Sequence, residues 1–89
     1  MIKNEQPLIR IIDDDQSQRQ ALAFLLTSVG YRVASYGSAR DFLTRDEHWV
    51  GGCAILDLRM PEMDGLSLQR ETIQRGIQLP IIFLLSYGY

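Results

Sequence analysis

Apolar residues follow two rhythms along this chain. Leu8-Ile9-Arg10-Ile11-Ile12, Cys53-Ala54-Ile55-Leu56 and Pro80-Ile81-Ile82-Phe83-Leu84-Leu85 are short, near-continuous apolar runs rich in β-branched residues, which predict buried strands. Arg32 to Tyr36 predicts a further short strand. Between them the spacing turns helical. From Gln16 to Val29 the positions Ala21, Leu22, Leu25, Leu26 and Val29 form one stripe, broadened by Phe24, and Gly30 stops the helix just past its end. Ser38-Ala39-Arg40-Asp41 resembles a capping box that opens a second helix through Arg45. Asp46 to Gly52 reads as a turn region, and Gly51-Gly52 lead into a third strand, Ala54 to Asp57. A third helix covers Leu66 to Arg75 and is ended by Gly76; Pro80 to Leu85 is the fourth strand.

The predicted order is β-α-β-α-β-α-β. Such alternation argues for an α/β fold, with a parallel sheet, right-handed crossovers and helices on both faces. The 89 residues fit one domain, 1–89, with 46% hydrophobic and 22% charged residues, the balance of a globular chain. A net charge of −2, with eight arginines scattered along the chain, offers no footprint for nucleic acid, so no direct DNA binding is expected. Cys53 has no partner for an internal disulfide and is expected to be a small core residue in a reducing compartment. The N-terminus has no apolar leader core and no run approaches the roughly 18 apolar residues of a membrane span. A cytoplasmic protein with no membrane contact is expected.

The chemistry is concentrated in carboxylates at strand ends. Asp13-Asp14-Asp15 follow the first strand and Asp57 ends the third. In a parallel sheet those ends meet at one edge, where open α/β proteins bind ligands. Like charges so close require a proton or a cation. Hard oxygen donors without His or Cys favour Mg²⁺. A helix N-cap is the plainer role for Asp15, and a turn or N-cap role for Asp64. His48 and Trp49 lie in the turn region, where surface packing is expected.

Ile-Asp-Asp-Asp at Ile12 to Asp15, Ile-Leu-Asp-Leu-Arg-Met-Pro-Glu-Met-Asp-Gly at Ile55 to Gly65, and Pro-Ile-Ile-Phe-Leu at Pro80 to Leu84 together resemble the receiver domain of two-component response regulators. Ala21 to Leu26 and Asp-Leu-Arg-Met-Pro look most like the subgroup that includes the nitrogen-fixation regulator FixJ. The resemblance implies a flavodoxin-like, three-layer fold with sheet order 2-1-3-4-5, here incomplete and lacking the last α-β-α. It implies that Asp57 is the phosphoacceptor, taking a phosphoryl group from a sensor histidine kinase. It further implies Mg²⁺ held by Asp14 and Asp57 through side chains, by Arg59 through its backbone carbonyl, and by Asp13 mainly through water. Gly65 would permit the turn into the third helix. The domain would not be a classical enzyme; at most it would show Mg²⁺-dependent self-phosphorylation and dephosphorylation.

The pattern departs from the family in two places. The hydroxyl residue expected at the end of the fourth strand is Leu85, with Ser86 after it, and the family's later lysine has no counterpart: Lys3 is the only lysine. The resulting expectation is a truncated, stand-alone receiver-like domain with impaired switching, or a phosphorylation-incompetent pseudo-receiver serving as an association module. An uncovered fourth strand would favour homo-oligomers, with Tyr87 and Tyr89 in a frayed end. A haloacid-dehalogenase-type hydrolase fits less well, because that family places its nucleophile after the first strand.

Overall fold

The computed structural model describes residues 6–85, so Lys3, Ser86, Tyr87 and Tyr89 lie outside the described residues. Within them the chain forms β1 (Leu8–Ile12), α1 (Gln16–Ser28), β2 (Arg32–Tyr36), α2 (Ala39–Arg45), β3 (Gly52–Asp57), α3 (Gly65–Gln74) and β4 (Ile81–Leu84). The strands make one parallel sheet in the order β2-β1-β3-β4. After β2 the chain reverses direction across the sheet. Right-handed crossovers therefore place α1 on one face and α2 and α3 on the other.

Local chemistry explains most boundaries. The three helices begin at Asp15, Ser38 and Asp64, whose side chains accept hydrogen bonds from the backbone N–H groups of Gln18, Asp41 and Ser67. Gly30 and Gly76 follow α1 and α3 with φ of 103° and 73°, a conformation costly for any residue with a Cβ. Gly52 also has a positive φ, 150°, and a Cβ there would lie 1.9 Å from the Leu8 carbonyl oxygen. The start of β3 is thus placed against β1 by an absent side chain, and β3 is two residues longer than the apolar run suggests.

On the α2/α3 face, Ile12, Ala54 and Leu56 pack with Ala39, Phe42, Met60 and Leu68. This is the main core. Ile81 and Phe83 pack against the same cluster. On the opposite face Ile9 and Ile11 are buried, yet no residue of α1 is. Leu22 and Leu26 are half-buried, while Phe24, Leu25 and Val29 are exposed by 75%, 58% and 65%. The apolar stripe of α1 is therefore wider than the sheet it meets among the described residues. Its contacts fall on β1 and β2. Cys53, on the same face of β3 and expected as a small core residue, is half-buried.

One buried element carries charge. Arg10, in the middle of β1, is fully buried and donates from Nε to both oxygens of Asp46, at 3.2 and 3.0 Å. Its Nη atoms donate to the carbonyls of Leu8, Glu47 and Val50 at 2.7–3.0 Å. Asp46 also accepts from the Tyr36 hydroxyl at 2.7 Å and meets His48 Nδ1 at 3.1 Å. Burial, then that hydrogen bond, holds the Tyr36 phenol well above its ordinary value. The turn region before β3 is in this way pinned to β1. His48, expected as surface packing, joins this hub and stacks edge-on against Phe42 with ring centroids 5.0 Å apart. Trp49 is 79% exposed.

Candidate metal site

The strand order reverses between β1 and β3, and their register makes Ile12 the neighbour of Leu56. The next residue of each strand is an aspartate. Asp13 and Asp57 are consequently adjacent at the carboxyl edge, in the crevice position that open α/β sheets use for ligands. Asp14 follows at the exposed rim. Carboxylate oxygens of Asp13, Asp14 and Asp57 lie within 4.8 Å of one another. Of the four strand-end carboxylates that the sequence places at this edge, Asp13, Asp14 and Asp57 converge, while Asp15, like Asp64, stands apart as a helix cap. The Asp64 carboxyl is held below the usual carboxylate range, first by the Ser67 backbone N–H it accepts.

Asp13 and Asp57 are buried and differently committed. Asp13 Oδ1 accepts from the Asp15 N–H at 2.9 Å, and Asp57 Oδ1 accepts from the Arg59 N–H at 3.0 Å. These short Asx turns fix both carboxylates at the strand ends. Asp13 Oδ2 is buried without a hydrogen-bond partner. Burial pushes the Asp13 carboxyl above its ordinary value of 3.8; the Asp15 N–H opposes this, and the charges of Asp57 and Asp14 add to it. A buried acceptor with no donor, facing two more carboxylates, is the local pattern that a hard divalent cation satisfies.

The surroundings support the site mechanically. Gly65 N donates to the Leu58 carbonyl at 3.2 Å, and a Cβ at Gly65 would lie 2.9 Å from the Asp57 carbonyl oxygen. Gly65 is needed for this close approach of α3 to the acid-bearing strand end, and not for a turn of unusual φ. A cavity of about 210 Å³ opens beside the acids, lined by Asp14, Ser38, Ala39, Met60, Pro61 and Met63 among others. Leu84 is the register partner of Asp57, so Leu85 stands at the same edge, 53% exposed and without a hydroxyl.

Sequence reasoning missed Arg19. It lies in the first turn of α1, and its Nη1 donates to the Asp13 carbonyl at 2.6 Å. The available signal was electrostatic: a cation in a first turn opposes the helix dipole, so it calls for a nearby acceptor.

A parallel α/β sheet with three carboxylates at its switch point is the ligand-binding arrangement of open α/β folds. The profile of the family described as "Response regulator receiver domain" matches residues 9–88, and this chain belongs to that family. It is 42% identical over 87 residues to the response regulator protein TmoT of Ectopseudomonas mendocina, covering 98% of this chain and 40% of that one. It spans well under half the length of the curated relatives it matches. Among solved structures it is similar to the FixJ N-terminal domain (34% identity, TM-score 0.86, 94% of this chain and 67% of that one). It is also similar to TrrA of Thermotoga maritima, solved in complex with Mg²⁺-BeF (26% identity, TM-score 0.80, 92% and 71%). No helix among the described residues is long and apolar enough to cross a membrane.

Proposed function

We propose that this receiver domain accepts a phosphoryl group on Asp57 from a sensor histidine kinase, at a site that Mg²⁺ completes. The observation that carries this reading is the orphaned Asp13 Oδ2 beside Asp14 and Asp57. The carboxylates of Asp13, Asp14 and Asp57 with the Arg59 carbonyl fit a hard cation, and TrrA, a similar fold, is solved with Mg²⁺-BeF. When bound, the ion supplies positive charge against the phosphoryl oxygens. The protein's own residues do the rest. The Arg59 N–H holds Asp57 Oδ1, leaving the second oxygen to attack phosphorus. The P–N bond to the kinase histidine, or the P–O bond of acetyl phosphate, breaks as the acyl phosphate forms. The Leu85 side chain offers no hydrogen bond to the product, which supports weak switching.

Incubation with acetyl phosphate and Mg²⁺, followed by intact mass and peptide mapping, tests this directly. Slow labelling on Asp57 is expected, none in Asp57→Asn, and roughly tenfold faster labelling in Leu85→Thr, because a restored hydroxyl can bond the transferring group. Absence of label in all three, with the fold intact, would favour the pseudo-receiver reading.

Self-association through the fourth strand forms part of the proposal. Among the described residues β4 is the last strand of the sheet order, and Ile82 is 52% exposed. Ile81 and Phe83 face the core, so the contact falls to Ile82 and Leu84 and not to the Ile81/Phe83 side. Light scattering at micromolar concentration should show a dimer that Ile82→Glu dissociates; a wild-type monomer would remove this part.

A further inference from the structure

We infer that Arg19 is the positioning residue of the acidic site, orienting the Asp13–Asp14 peptide for divalent-cation binding. The inference rests on the metal reading above and deepens it. Asp13 and Asp14 share one peptide unit, and its carbonyl oxygen is the acceptor of Arg19 Nη1 at 2.6 Å. Two neighbouring groups of this turn are engaged elsewhere. The Asp13 N–H closes the β1–β2 ladder on the Tyr36 carbonyl at 3.1 Å, and Asp13 Oδ1 is taken by the Asp15 N–H. The guanidinium thus holds, at its carbonyl end, the peptide that carries Asp14, whose carboxylate is the exposed member of the trio.

The guanidinium is itself located. A Cβ on Gly37 would meet Nη1, Cζ and Nη2 of Arg19 at 3.5, 3.7 and 3.8 Å, so the planar group lies over the backbone of the β2–α2 turn. It bridges the first turn of α1, the end of β1 and the end of β2. A planar fork suits that task better than a flexible ammonium, because fewer rotamers are lost in forming the contact. Its place at the positive end of the α1 dipole is unfavourable in isolation. Three carboxylates within 4.8 Å of one another offset that cost and explain why a cation is tolerated there. Arg19 touches no ligand oxygen; it acts through the main chain, as groups behind the ligands of metal sites do.

Titration of the folded protein with MgCl₂ and with MnCl₂ by calorimetry tests the inference, alongside metal-free melting and ¹⁵N amide spectra. Arg19→Met is expected to weaken cation binding roughly 10- to 100-fold, the usual loss when a ligand's supporting partner is removed. Arg19→Lys should recover part of that affinity. The Asp14 and Asp15 amide signals of metal-free Arg19→Met should move. A purely structural role would lower the melting temperature and leave the affinity of the folded fraction unchanged; that result, or unmoved Asp14 and Asp15 amides, would overturn the inference. Should Arg19→Met fail to fold, the same titration of Arg19→Lys decides, with wild-type affinity counting against the inference. A wild-type protein that binds neither ion would overturn the metal reading first, and this one with it, whereas wild-type binding with an equal Arg19→Met affinity overturns this one alone.

Discussion

Replacing Arg10 by methionine should destabilise the fold by about 3–5 kcal/mol, measured by urea denaturation, because it leaves the Asp46 carboxylate buried without its cation. For a domain of this size that corresponds to a fall in melting temperature of roughly 12 °C or more. The side chains of Arg10 and Asp46 are both 0% exposed, so solvent cannot take over. The Tyr36 hydroxyl and His48 still contact Asp46, and they set the lower end of the range. The carbonyls of Leu8, Glu47 and Val50 lose their donors in the same step. The double variant Arg10→Met, Asp46→Leu should recover part of the loss, since the charge left behind is then removed as well. A loss below about 1 kcal/mol in the single variant would show that water reaches Asp46 and that the hub is not closed.

Mg²⁺ at a hundredfold excess over its Kd should stabilise the wild type by about 2.7 kcal/mol through mass action, and Asp14→Asn or Asp57→Asn should abolish the gain. The effect depends on pH in a determined direction. Because burial and its acidic neighbours raise the Asp13 carboxyl above 3.8, the folded state binds that proton more tightly than the unfolded chain does. The metal-free contribution of Asp13 is thus full below pH 3.8 and is lost as pH rises through the higher folded value. A divalent ion favours the ionised carboxylates, so its stabilisation should grow across the same window. Equal melting temperatures with and without Mg²⁺ at neutral pH would rule out the site as a cation site.

The secondary structure was legible because its signals are local. Arg32–Tyr36 matches the predicted strand at both ends, and α1 and α3 differ from their predicted spans by a single residue at one or both ends. Caps at Asp15, Ser38 and Asp64 need only their own turn to act. The convergence of Asp13, Asp14 and Asp57 was legible for a related reason: alternation implies parallel strands, and parallel strands bring their carboxyl ends to one edge. Arg10 and Asp46 were not paired in advance, because 36 residues separate them and a charged residue within an apolar run does not name its partner. Arg19 was missed because its acceptor is a carbonyl, which every residue possesses.

The order of elements, their caps, the α/β class and the acidic strand ends were determined by the sequence alone, since periodicity and turn chemistry act within a few residues. Tertiary structure decided which charges would be buried and which apolar residues would not. Phe24 and Val29 share the helical apolar stripe with half-buried Leu22 and Leu26, yet they stay exposed because burial depends on what lies opposite. Arg10 reads as a flaw in a strand, yet it is fully buried because Asp46 and three carbonyls surround it. A side chain's free energy is set by its neighbours in space, and only the packed sheet assigns those neighbours.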